Sequence, residues 1–401
     1  MTTFAYVALD TSGKRATGYV DANDRESAIA SLTGQGRMVL ELKEEARTTK
    51  ETQARTGRIS RGDIALFTRR MSDLADAGLP LDRVLQVVAE QSESPRLSAI
   101  AEEALEQVRG GLPVSEALAQ HPKIFPVVYT QTLRAGEASG QFAAVTGRLA
   151  DFQEKEVARR SQVISSLTYP AILCVVAVGV VIFLITFVMP KLTAVFSDLG
   201  GDLPASTQVL LAITNFTTKN GFFILIGIAV LAVAYRAWIA TEAGITARDK
   251  MLFDLPLAGP VIKKAVVSRF ARVLGTLVFG GVPILESLRI AGLSAGNKTF
   301  AVGAEKVELE VREGRPIAEA MRDAGNFPPV LTHMVAIGEE TGDLPKMLGR
   351  VSDSLDFEVD NGLRRLTSMV EPIIILTMGG IVGFVVLSVL LPIFQAQELV
   401  K

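Results

Sequence analysis

The chain has 401 residues, a formal net charge of −2, 49% hydrophobic residues and 21% charged ones. Whole stretches carry no charge at all, which excludes an ordinary soluble protein and indicates membrane spans. The balanced charge excludes a strongly basic nucleic-acid face, and a single cysteine, Cys174 inside an apolar run, excludes an internal disulfide and a zinc site of spaced thiolates.

In chain order, residues 1–45 form a small α+β segment. Phe4–Leu9 and Gly18–Val20 read as short strands around the turn Thr11-Ser12-Gly13. Arg25–Gly34 reads as a helix capped by Asp24, and Met38–Leu42 as a third strand. The start, MTTFAYVALDTSGKR, lacks the basic then apolar pattern of a secretory signal, so this domain is expected on the side where it is made. Residues 46–62 are polar and charged and read as a flexible linker. Residues 63–166 form a first cytoplasmic repeat of about six helices. Apolar residues recur at helical spacing in 63–77, 81–92, 97–109 and 145–166, without strand alternation.

A first span follows at 167–189, ended by Pro190. A loop, 190–215, leads to a second span at 216–239, where Arg236 can snorkel to water and Tyr235 and Trp238 suit the aromatic belt. Residues 240–371 form a second cytoplasmic repeat, 372–394 the third span and 395–401 a short tail. Lys and Arg cluster before the first span, after the second and before the third. Both large domains are therefore expected in the cytoplasm, with the 190–215 loop and the tail outside.

The two large domains are copies. Phe67-Thr68-Arg69 matches Phe270-Ala271-Arg272, and Ala77-Gly78-Leu79-Pro80 matches Gly280-Gly281-Val282-Pro283. After a one-residue slip, Gly136-Glu137 and Gly140 match Gly338-Glu339 and Gly342. Tyr169-Pro170 finally meets Glu371-Pro372 where each copy runs into the membrane. Glycine can close a helix in the left-handed conformation and a proline two residues on favours the next start, so Gly78–Pro80 and Gly281–Pro283 predict helix hairpins.

These residues resemble a known family. The segments AGEASGQ and IGEETGDL, MPKLTAVFSDLGGDLPASTQVL after the first span and EPIIILTMGGIVGFVVLSVLLPIF in the last are similar to the type II secretion system inner-membrane platform protein F family, which is shared with type IV pilus platform proteins. The opening FAYVALDTSGKRATGYVDA resembles that family's N-terminal segment. The resemblance implies a non-enzymatic, oligomeric protein of the cell inner membrane. It implies contact with a hexameric secretion ATPase, with other inner-membrane platform proteins and with pseudopilins or pilins. Membrane lipid surrounds the spans, and no nucleic acid is expected.

Glu137 and Glu339 stand out as candidate functional carboxylates. Each could accept from backbone N–H groups of a neighbouring turn, or help hold a hard cation such as calcium together with a partner chain, Glu137 being the candidate ligand. A helix-terminus or interhelical salt bridge is the favoured reading, since acidic residues so often serve at helix ends. Glu154, Glu156, Glu358 and Asp360 are expected to pair with Arg159, Arg160, Arg364 and Arg365 of their own helices at i,i+4 spacing. Pro170 and Pro372 are expected to set the geometry or a kink at the head of each span. Gly379, Gly380 and Gly383 fall on nearly one helix face and suit close packing against another helix. No phosphate-binding loop and no Ser/His/Asp or Cys/His constellation is present, and His121 and His333 lack HExxH spacing. Neither a membrane enzyme nor a secondary transporter, which would carry ionisable residues within the first and third spans, fits as well.

Overall fold

A computed structural model describes residues 2–9, 15–22, 25–34, 38–44, 58–188, 190 and 204–399. The turn Thr11-Ser12-Gly13, the cap Asp24 and residues 46–57 of the expected linker lie outside them. The chain divides into two compact units, 1–153 and 154–401.

In the first unit, β1 (Thr2–Leu9) pairs antiparallel with both β2 (Arg15–Ala22) and β3 (Met38–Glu44), giving the order β2-β1-β3. Helix α1 (Arg25–Gly34) buries Leu32. The helical repeat then runs through α2 (Arg61–Asp76), α3 (Leu81–Gln91), α4 (Pro95–Arg109), α5 (Val114–Ala119) and α6 (Val127–Ser139) into a long α7 (Phe142–Phe183). Each start has a local cause. Ser60 and Asp63 cap α2 reciprocally, with Asp63 N donating to Ser60 Oγ at 3.0 Å and Ser60 N to Asp63 Oδ2 at 2.8 Å. Ser94 caps α4, whose first residue is Pro95.

The hairpin turns are the same in both repeats. Gly78 has φ +81° and Gly281 φ +89°. Leu79 N then reaches back to Leu74 O at 3.2 Å, as Val282 N does to Leu277 O at 3.0 Å. This is the Schellman arrangement, in which a left-handed glycine turns orphan carbonyls of the last helical turn back onto N–H donors. Pro80 and Pro283 then cap the next helices with extended backbone.

The second unit holds the rest of α7, which continues through Pro170 and ends in a π-helical turn, Leu184–Val188. Helix α8 (Ala205–Ile239) follows, then α9 (Glu242–Asp254), α10 (Gly259–Phe279), α11 (Ile284–Ser294), α12 (Lys298–Arg312), α13 (Ile317–Ala324), α14 (Pro329–Thr341) and α15 (Leu344–Leu399). Among the described residues, three helices are long and apolar enough to cross a membrane.

The limits of the long helices differ from those expected. Helix α8 begins at Ala205, well ahead of Phe216, because Pro204 caps it and its first turns have somewhere to pack. Leu210 is buried with Val385 and Val389 of α15, and Leu184, Ile185 and Val188 close around them. Thr207 Oγ1 donates to Ser388 O at 2.6 Å, so a buried hydroxyl finds a carbonyl where lipid offers none. Helix α15 continues unbroken through Pro372.

The cores repeat as well. Phe67, Phe125 and Tyr129 pack as tilted rings in the first repeat, with centroids 5.8 and 4.9 Å apart. Phe270, Phe300 and Phe327 form the counterpart at 5.3, 5.5 and 5.0 Å. Burial pushes the Tyr129 phenol well above its usual range, and its hydroxyl is satisfied by Thr68 Oγ1 at 3.0 Å.

Candidate functional site

The Gly-Glu motifs sit at equivalent helix hairpins. Glu137, near the end of α6, accepts from Val114 N at 2.6 Å, from Ser115 N at 3.3 Å and from the Ser115 hydroxyl. Glu339, near the end of α14, accepts from Ile317 N at 2.6 Å and Ala318 N at 2.9 Å. Each carboxylate thus caps the N-terminus of a short helix whose N-cap residue is a proline, Pro113 or Pro316, and which has no side-chain cap of its own. A carboxylate there meets orphan N–H donors and the positive end of the helix dipole.

The flanking glycines explain why this geometry holds. A Cβ on Gly136 would sit 3.0 Å from Phe142 Cα, and one on Gly338 would sit 2.9 Å from Leu344 Cα. The next helix can therefore start against them only because no side chain intervenes. Gly140 and Gly342, at φ +69° and +72°, make the left-handed turn into that helix. Among the described residues, no group of three or more His, Cys, Asp or Glu is placed to hold a metal ion.

Removing these caps tests their role. Glu137→Ala is expected to cost about 1–2 kcal/mol and Glu339→Ala about 1 kcal/mol, because the first also loses the Ser115 hydroxyl bond. Thermal unfolding of the purified chain in detergent measures both. Ala318→Ser should deepen the loss at Glu339 towards that at Glu137.

A second constellation lies where α7, α10 and α15 meet, outside the expected spans. Asp356 of α15 is 6% exposed. It accepts from Arg159 of α7 at 2.7 Å, from Arg272 of α10 at 2.5 Å and from the Ser268 hydroxyl. Arg159 also reaches Asp360 at 2.7 Å, Arg272 reaches Asp353 at 2.8 Å, and Lys155 reaches Asp353 at 3.1 Å. Burial pushes the Asp356 carboxyl up, but the hydrogen bonds of Ser268 and Arg159 and the charges of Arg272 and Arg159 outweigh it and hold the group below the usual carboxylate range. Asp353 is depressed in the same way, with Arg272 and Lys155 opposing its burial. On either side, Arg269 bonds Glu156 at 2.5 Å and Lys264 bonds Glu358 at 2.5 Å.

The structure thereby corrects the expected pairing within helices. Glu156, Glu358 and Asp360 pair across helices, with Arg269, Lys264 and Arg159, because α7, α10 and α15 lie side by side and bring these partners within reach. The i,i+4 rule applies to isolated helix surfaces. Asp356 and Ser268 had no signal of their own as a site. In the first repeat Arg69 pairs with Asp151, just as Arg272 pairs with Asp353, and Arg70 donates to Gln91 O.

Pro170 and Pro372 lie inside continuous helices rather than at breaks. Gly379, Gly380 and Gly383 lie on α15 with open space where a Cβ would stand on each.

Comparison with known proteins adds the family. A model of "Type II secretion system (T2SS), protein F" matches residues 67–190 and 270–392, so it recovers both repeats with their following helices. A model of that protein's N-terminal domain matches residues 1–43. The chain is 35% identical over 400 residues to a type IV pilus assembly protein PilC of Thermus thermophilus, covering 98% of each. It is 33% identical over 406 residues to a type II secretion system protein F of Vibrio cholerae, covering 100% of each. A type IV pilus assembly protein PilC of Myxococcus xanthus is 33% identical over 393 residues, covering 98% of this chain and 94% of the relative. With both repeats and the N-terminal domain accounted for, the chain belongs to the type II secretion system protein F family of multi-pass membrane platform proteins.

Proposed function

We propose that this chain is the inner-membrane platform of a type II secretion system, coupling a cytoplasmic hexameric ATPase to pseudopilin assembly and protein export. A single observation carries the coupling. Helices α7 and α15 each run without a break from a soluble repeat into a span, and the Arg159–Asp356 cluster ties them together on the soluble side. A continuous helix passes displacement along its axis, whereas a loop would absorb it. In this reading both repeats face the cytoplasm, the C-terminus faces the periplasm, and the chain works as a homo-oligomer beside other platform proteins. The chemistry of the work comes from the ATPase, not from this chain.

The names of two relatives favour a second reading, a platform for type IV pilus assembly. A deletion strain separates them. Loss of exported proteins with normal pili supports secretion, and loss of pili with normal export supports the pilus reading. The coupling itself is tested by cross-linking in membranes, with Cys174 replaced by serine and single cysteines placed on each repeat. Cross-links to the ATPase that change with its nucleotide are expected. Their absence from every position on both repeats would overturn the platform reading.

A further inference from the structure

The two repeats bury their long helices differently at matched positions. In the second unit, Leu344, Leu348, Val351, Leu355 and Val359 of α15 form a buried stripe at three- and four-residue spacing, facing α10. Leu348 fits a notch there: a Cβ on Gly275 would lie 3.0 Å from Leu348 Cβ. This stripe is apolar and closely packed, and beside it the polar groups buried between the same helices are partnered, Ser268 and Arg272 with Asp356.

In the first unit the same positions of α7 are Phe142, Thr146, Leu149 and Gln153, facing α2. Where Leu348 and Leu355 stand in the second repeat, the first has Thr146 and Gln153. Where Gly275 makes the notch, the first has Ser72, whose hydroxyl donates to Ala143 O at 3.1 Å. Thr146 Oγ1 and Gln153 Oε1 are both buried without a hydrogen-bond partner among the described residues. A buried polar atom without a partner loses its hydration on packing and regains it on opening, while a buried leucine gains from packing and loses on opening.

We propose that the first repeat carries a built-in release seam: α7 parts from α2 while α15 stays locked on α10. Its use, letting the first lever helix move against its bundle while the second holds, rests on the platform reading above. The order of opening does not. It follows from which side chains occupy equivalent places in two copies of one fold, so it is not a property of the fold itself.

Hydrogen–deuterium exchange on the full chain in lipid nanodiscs reads this directly. Amides of residues 146–153 should be protected roughly tenfold less, or weaker still, than those of residues 348–355, the factor that one unmet buried hydrogen bond is worth. Thr146→Val with Gln153→Leu removes the unpartnered atoms at nearly constant shape and should slow exchange over 146–153. Leu348→Thr with Leu355→Gln should speed exchange over 348–355. Equal protection of the two segments in the unaltered chain would overturn the proposal, whatever the chain exports or assembles. So would unchanged exchange over 146–153 in the Thr146→Val, Gln153→Leu variant.

Discussion

A Gly-Gly-Ser insertion after Ser166, or after Ser368, is expected to abolish export, or pilus assembly if that is the machine, with the protein still present in the membrane at its normal level. Both sites lie on α7 and α15 between the charged cluster and the prolines at the head of the spans. Three added residues kept in helical form would rotate everything beyond them by about 300° and shift it by about 4.5 Å. Two glycines would more readily break the helix, since each costs about 1 kcal/mol against alanine. Either way the cluster and the bundles stay intact while their link to the spans is lost. Replacing Ser165 and Ser166 by alanines adds no length and strengthens the helix, so it should leave function unchanged. Export at the normal rate with both insertions would rule out rigid coupling through these helices.

Much of this architecture was legible because it is written twice. The Gly-x-Pro turns and the Gly-Glu motifs recur in both copies in the same order, with one residue of slip between them, and a glycine that must be left-handed in one copy must be so in the other. Periodicity alone found the helix that contains Phe67, since its apolar face recurs at helical spacing, and the match of Phe67 to Phe270 carried the reading to the second copy. The early start of α8 at Ala205 was not legible. Its first turns, Ala-Ser-Thr-Gln, look like loop residues until Thr207 is seen donating to Ser388 O and Leu210 is seen packed on Val385.

The charged cluster escaped for a different reason. Its partners are far apart in sequence, with Arg159 and Asp360 201 residues from each other, and charge patterning reports only neighbours on one helix. One signal was present. Arg69 and Asp151 lie 82 residues apart and Arg272 and Asp353 81 apart, so a matched arginine in each copy faces a matched aspartate. The carboxylate Asp356 itself corresponds to Glu154 and gave no such hint. The role of Glu137 and Glu339 was within reach, because acidic residues suit orphan N–H groups at helix starts. Which helix they serve depends on the hairpin fold, and periodicity does not give that.

Asp356→Ala is expected to destabilise the second unit by about 2–3 kcal/mol. Two guanidinium groups, on Arg159 and Arg272, lose their shared buried anion, and the Ser268 hydroxyl loses its acceptor. Breaking a buried ion pair by removing one partner typically costs about 3–5 kcal/mol. The loss falls short of that range because Arg159 keeps Asp360 and Arg272 keeps Asp353. For a unit of this size the unfolding midpoint should drop by roughly 5–10 °C. Asp356→Asn keeps the volume and a hydrogen bond to Ser268 and should lose less. Removing Arg159 as well should recover part of the loss, since one cation fewer then faces the vacated site and Arg272 keeps Asp353, and a double-mutant cycle reads that coupling. The pH dependence has a definite sign. The folded carboxyl titrates below the ordinary aspartate value of 3.8, so the unfolded chain binds the proton first on acidification. The contribution is therefore complete above that value and is lost as pH falls through the lower folded one. The Asp356→Ala chain should lack this acid-side component, so its midpoint should depend less steeply on pH below about 4. An unchanged acid profile, or a midpoint within 1 °C or so of the unaltered chain, would show that the cluster does not hold α7 and α15 together.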